Sequence, residues 1–201
     1  MTDQVTVSLP GIDLPGDLTV PTPAHGLVIF AHGSDSSRHS PRNQYVAEVL
    51  NAAGIATLLF DLLTPVEAAD RRNVFDIPLL SRRLTAAREW AGDERPVGYF
   101  GASTGGAAAL WSAAADEVAA VVSRGGRVDL AGPRLALVTA PTLLIVGERD
   151  TGVLAYNREA QRGLSCVNRL EVVTGATHLF SEPGTLEQVA VLARDWFTEH
   201  L

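Results

Sequence analysis

The chain has 201 residues, enough for one sizeable core, and its 46% hydrophobic content without long charged or serine-rich tracts excludes a disordered chain. Net charge is −7 and all 16 cations are arginine, so the missing lysine rules out a Schiff-base amine, a Gly-Lys-Ser phosphate loop and a Ser-Lys dyad. Scattered arginines on an acidic chain exclude a nucleic-acid binder, no run approaches the roughly 18 apolar residues of a membrane span, and Met1-Thr2-Asp3-Gln4 lacks the basic start of a signal peptide. The expectation is a single cytoplasmic domain over residues 1–201 that acts on small molecules, with Cys166 structural and unable to form an internal disulfide.

In chain order, Gln4-Val5-Thr6-Val7-Ser8-Leu9 and Asp17-Leu18-Thr19-Val20 read as short strands punctuated by Pro10-Gly11 and Pro15-Gly16 turns, an antiparallel edge. The apolar strand Gly26 to Ala31 runs into His32-Gly33-Ser34. Pro41 to Ala53 reads as a helix stopped by Gly54, and Ala56 to Phe60 as a strand followed by Asp61. A polar loop through Asp70, Arg71 and Arg72 leads to a helix from about Val74 to Ala91. Next come the strand ending in Val97-Gly98-Tyr99-Phe100, a helix from Thr104 to about Ala115, the strand Val118 to Val122 and a short helix near Asp129 to Leu137. The strand Thr142 to Val146, a helix near Val153 to Arg162, the half-buried strand Arg169 to Val173 and a final helix from about Gly184 to His200 complete the chain. This alternation predicts an α/β fold, a mostly parallel twisted sheet with helices on both faces.

Gly101-Ala102-Ser103-Thr104-Gly105-Gly106, between an apolar strand and a small-residue helix, has the form of a nucleophile elbow. A strand that reverses into a helix around one serine needs tiny flanking residues, because a Cβ there would strike the strand or helix. Serine is a weak nucleophile until a histidine base accepts its proton and a carboxylate orients that base. Asp150, in the loop after Thr142 to Val146, is the candidate acid, with Glu148 its nearby rival; His178, in the loop after the last strand, is the candidate base. His25, His32, His39 and His200 compete less well, because only His178 follows the last strand without joining the terminal helix, and His32 is read as support for the loop it enters. The order Ser103, Asp150, His178 differs from both common protease orders. Backbone N–H groups of Ser34 and Thr104 are the expected oxyanion donors.

With that context assembled, the chain resembles the α/β-hydrolase superfamily, and within it the small dienelactone-hydrolase-like group. The resemblance rests on Phe30 to Ser34, Ser36 to Asn43, Gly101 to Gly106, Ser123-Arg124-Gly125-Gly126-Arg127 and Gly147-Glu148-Arg149-Asp150. It implies a compact hydrolase of esters or lactones with no cap domain and no cofactor. The family proper carries cysteine at the elbow, whereas position 103 is serine, which favours general ester chemistry over ring-opening of dienelactones.

The expected reaction is acyl transfer to water through a covalent intermediate, with a small ester and water as partners and no metal, since the histidines and acids lack zinc-ligand spacing. Arg38, Arg42 and Arg124 should gather at the carboxyl edge of the sheet, where one could hold a substrate carboxylate or could instead pair with Asp35, Asp61 or Asp129. Leu62, Leu63, Leu154 and Phe180 are the candidate apolar contacts of a shallow site. Other readings stay open: a thioesterase or acyltransferase with the same triad, an idle α/β-hydrolase fold that binds a ligand or partner, and, less favoured without a lysine, a nucleotide-binding glycine loop.

Overall fold

In the computed structural model, which describes residues 2–92 and 94–201, eight strands form one sheet in the order β1-β2-β4-β3-β5-β6-β7-β8. Met1, part of the N-terminal stretch read above, lies outside the described residues. The strands are β1 (Thr2–Leu9), β2 (Ile12–Thr19), β3 (Gly26–Ala31), β4 (Ile55–Phe60), β5 (Val97–Ala102), β6 (Ala120–Arg124), β7 (Thr142–Gly147) and β8 (Asn168–Val173). β1 and β2 are antiparallel, β2 joins β4 antiparallel, and the pairings from β4 through β8 are parallel, as the βα alternation predicts. Among the described residues no inserted cap covers the carboxyl end of the sheet.

Alternation within the central strands supplies both faces. Leu27, Ile29 and Ala31 of β3 pack with Leu84, Ala87, Ala108 and Leu110, contributed by α4 (Ile77–Ala91) and α5 (Thr104–Ala113). Val28 and Phe30 face the other way, onto Val46 and Leu50 of α1 (Pro41–Ala52) and Val189, Ala193 and Phe197 of α7 (Thr185–His200). Full burial of each such large aliphatic or aromatic side chain stabilises by about 1.5–3 kcal/mol. α6 (Thr151–Gly163) packs Val153 and Leu154 onto Val146 at the β7 end.

Several elements differ from the sequence reading. Pro15-Gly16 is not a turn but lies inside β2, opposite Thr6 and Val5. The Pro15 carbonyl accepts from Asp61 N–H at 3.1 Å, so its nitrogen also faces β4, one step beyond the last laddered residue, Gly16, where no donor is required. The helix expected from Val74 starts instead at Ile77, because Asp76 Oδ1 caps the Leu79 N–H at 2.9 Å and Pro78 suits the first turn. The preceding residues form two single-turn helices, α2 (Pro65–Ala68), capped by Thr64, and α3 (Arg71–Val74), capped by Asp70. The strand read as Val118 to Val122 runs from Ala120 to Arg124, since parallel pairing of Ala102 with Arg124 carries the ladder two residues further. The short helix near Asp129 is a 3-10 segment, Val128–Leu137, broken at Gly132 before Pro133. Among the described residues no helix is long and apolar enough to cross a membrane.

Candidate active site

β5 ends at Ala102 and α5 begins at Thr104, so the chain reverses at one residue, Ser103, with φ 52° and ψ −119°. Such a backbone costs a non-glycine residue of order 1–3 kcal/mol and persists only where its surroundings over-determine it. Here the Ser103 N–H donates to the Arg124 carbonyl at 3.1 Å, and the Ser103 carbonyl accepts from the N–H groups of Gly106 and Arg127, each at 3.0 Å. The glycines make room for this turn. A Cβ at Gly105 would lie 2.0 Å from the Ala31 carbonyl oxygen, and one at Gly101 would lie 2.3 Å from the Gly105 oxygen. Both obstacles are backbone and cannot swing aside. Gly105→Ala is therefore expected to destabilise the protein by about 4 kcal/mol or more, seen as a collapsed urea midpoint or loss of folded material; an unchanged midpoint would refute this packing argument.

Asp150 stands at the N-cap of α6, yet its side chain makes no capping bond. Its Oδ2 instead lies 2.6 Å from His178 Nδ1, with the carboxylate side chain 16% exposed and the imidazole 38% exposed. The carboxylate therefore serves the imidazole rather than the helix end, and with Nδ1 engaged Nε2 is turned away from Asp150. Gly147 lets the two loops meet: a Cβ there would lie 2.4 Å from the Ala176 oxygen and 2.7 Å from that of Thr177. Glu148, the rival acid, accepts from the Gly175 N–H at 2.8 Å and ties down the loop that carries His178. Glu182 does the same from the far side, accepting from the Thr177 N–H at 3.1 Å, a contact that pulls its carboxyl below the usual range. Neither loop clamp was legible in the sequence, because each depends on which residue the folded loop passes.

Ser103 and His178 both border the end of β6. Gly125 follows the Arg124 carbonyl that holds Ser103, and a Cβ on Gly125 would sit 3.4 Å from His178 Nδ1 and Cε1. The Ser103 hydroxyl and the imidazole are not hydrogen-bonded in this structure; in ligand-free sites of this kind that bond is often long and tightens when substrate binds.

On the other side, the loop after β3 folds against the elbow, with a Cβ at Gly33 only 3.0 Å from Ser103 Cβ. Thr104 opens α5, where the positive end of the helix dipole collects, and the Ser34 and Thr104 N–H groups have no acceptor among the described residues. His32 fastens this loop: Nδ1–H donates to the Gly33 carbonyl at 2.9 Å while Nε2 accepts from the Leu62 N–H at 3.1 Å. Burial pushes the His32 pKa below its ordinary 6.5, partly offset by its bond to Gly33 and by Asp61. A histidine whose folded pKa is depressed contributes stability above its ordinary pKa and loses it as pH falls below that value. Between about pH 7.5 and pH 5.5, the urea midpoint of the parent should thus fall more steeply than that of His32→Gln, and parallel curves would contradict it.

A cleft of about 200 Å³ opens between this loop and the α2 to α4 segment, lined by His32, Gly33, Leu62, Leu63, Val74 and Thr104 among others. Of the four expected apolar contacts it holds Leu62 and Leu63. Leu154 packs on Val146 and Val153, and Phe180, 2% exposed, packs in the α1 and α7 core, so both are interior rather than cleft residues. Leu80, Val74 and Ala68 of the cleft were not anticipated, since they come from helices whose placement over the site is a tertiary matter. Arg38 takes the pairing alternative: it meets Asp61 at 2.5 Å and Asp17 at 3.5 Å, and so stiffens the loop. Arg42 and Arg124 come together beside Asn43, without an ion pair to any described residue. Among the described residues no group of three or more histidine, cysteine or acidic side chains could hold a metal ion.

No family profile matches the chain. Two curated proteins from Mycobacterium tuberculosis, strains H37Rv and CDC 1551, both provisionally named phosphoribosyl transferases, are 59% identical over 206 residues. The match covers 99% of this chain and 46% of theirs, so the chain spans about half the length of the curated relatives it matches. The crystal structure of a dienelactone hydrolase from Anabaena variabilis is 51% identical, covers 100% of this chain and 98% of its own, and superposes with a TM-score of 0.97. Est1E from Butyrivibrio proteoclasticus, 17% identical with a TM-score of 0.84 and 98% coverage of both chains, shares the fold. An eight-stranded, mostly parallel, capless sheet combined with the Anabaena likeness places the chain: it belongs to the dienelactone hydrolase family and has the α/β-hydrolase fold.

Proposed function

We propose that this chain is a serine hydrolase that cleaves small carboxylic esters or lactones through an acyl-enzyme. The observation that carries the reading is a serine at positive φ on the elbow, with a histidine whose Nδ1 is bonded to Asp150 at 2.6 Å at the same end of the sheet. With Nδ1 engaged, Nε2 is the nitrogen free to take the Ser103 proton as the oxygen attacks the acyl carbon. Asp150 stabilises the imidazolium, and the Ser34 and Thr104 N–H groups receive the oxyanion. The imidazolium then protonates the leaving alkoxide, and a water deprotonated by the same ring releases the acid. The cleft beside Leu62 and Leu63 is the proposed seat of a short acyl group.

The transferase name belongs to the longer mycobacterial proteins; phosphoribosyl transfer is not proposed for this segment. A fluorophosphonate probe should label the protein, with the adduct mapping to Ser103, and nitrophenyl acetate should be hydrolysed. Absence of both under conditions where the protein is folded would overturn the proposal in favour of an idle scaffold.

A further inference from the structure

Arg124 is the most enclosed arginine near the site, 7% exposed, and it forms no ion pair with a described residue. Its place at the end of β6 turns the side chain to the same face as Val122, toward the N-terminus of α1. There Nη2 donates to Asn43 Oδ1 at 3.3 Å, the guanidinium carbon lies 6.0 Å from the centre of the Phe180 ring, and Nε is buried with no acceptor. Half-buried Arg42, one residue before Asn43, also has a buried Nε without an acceptor. Burial, and then the charge of Arg42, push the Arg124 pKa down to about 10.

A third positive element faces the same spot. Ser40 Oγ caps the Asn43 N–H at 3.4 Å and Pro41 has no N–H, which leaves the Arg42 N–H without an acceptor among the described residues at the positive end of α1, and the first turn contains no acid. Several other partly buried arginines face an acid, Arg38 with Asp61 and Asp17, Arg83 with Glu67 and Arg127 with Asp129, while Arg88 donates to the Glu117 carbonyl and Arg134 lies over the Trp111 ring. A desolvated guanidinium beside a second, partly exposed one at a helix N-terminus is stabilised by a counter-anion. The protein supplies none among its described residues.

The place of this group gives it a role. The Arg124 carbonyl holds Ser103, Gly125 underlies His178, and Phe180 belongs to the His178 loop, so the arginines border the reacting centre on the α1 face. The apolar cleft lies on the α4 face. A substrate spanning both would put its acyl part in the cleft and an anionic part against α1. Two guanidiniums plus a helix terminus match a phosphomonoester, which carries about −1.5 to −2 at neutral pH, better than a carboxylate, which would leave one cation uncompensated.

We propose that Arg42, Arg124 and the N-terminus of α1 form a subsite for a phosphomonoester group carried by the ester substrate. The placement of this group on a substrate rests on the hydrolase reading, but its binding does not. The test is thermal unfolding and calorimetric titration with inorganic phosphate and with acetate at constant ionic strength. The wild-type protein should bind phosphate saturably and acetate not at all, and Arg42→Gln, at a half-exposed position, should weaken phosphate by about tenfold. Arg124→Gln should do the same if it folds. No saturable phosphate effect, an effect undiminished in Arg42→Gln, or equal binding of acetate would overturn the proposal. Phosphate should also compete with nitrophenyl acetate, and noncompetitive behaviour would remove the subsite from the substrate path. Phosphate binding by a protein without esterase activity would instead reject the hydrolase reading and leave the anion site standing.

Discussion

Ser103→Ala should lower kcat toward a small nitrophenyl ester by about 10⁶ and abolish fluorophosphonate labelling, with the unfolding midpoint nearly unchanged. The size follows from the chemistry: without the hydroxyl no acyl-enzyme forms, and what remains is the smaller contribution of oxyanion donors and binding. The fold should tolerate the change because the elbow is held by backbone bonds to Arg124, Gly106 and Arg127, which alanine preserves. Alanine also occupies the positive φ of 52° at a cost similar to that borne by serine. Burst-phase and steady-state rates on the folded variant provide the measurement, and turnover within tenfold of the parent would end the assignment of Ser103 as nucleophile.

Asp150→Asn is the second large effect, with kcat expected to fall by about 10⁴. Asparagine nearly matches the carboxylate in shape, and the side chain makes no capping bond to α6, so the helix loses nothing. Two things are lost at the 2.6 Å contact with His178 Nδ1. An amide can present its N–H₂ to Nδ1 and thereby favour the tautomer whose Nε2 carries the proton and cannot act as base. It also removes the negative charge that stabilises the imidazolium. Glu148→Gln provides the contrast: its carboxylate serves the Gly175 N–H, so the substitution should cost far less turnover than Asp150→Asn. The reverse order would exchange the two roles.

How much of this was legible beforehand depended on the range of the interactions involved. The elbow was readable because its requirement is local: three small residues within six positions report a turn too tight for side chains, and the collisions at Gly101 and Gly105 are the same requirement seen in space. The supporting role of His32 followed from the turn it enters, although its partner Leu62, thirty residues away, did not. Boundaries slipped where a neighbouring strand or cap outweighed local pattern, as when β5 drew Arg124 into the ladder and Asp76 delayed α4. The arginines divided for the same reason. Arg38 lies beside acids of β2 and of the segment after β4, while Arg124 is turned inward against α1, and no spacing in the chain distinguishes these fates.

By itself the sequence determined the layered α/β class, the chain order of serine, acid and histidine, and the positions where only glycine fits, because periodicity and turn sterics act over a few residues. The tertiary structure alone decided which carboxylate meets the imidazole, which leucines open onto the cleft, and which cations are left buried without an acid. Those outcomes depend on separate loops arriving at one end of the sheet, where distance through space is unrelated to distance along the chain.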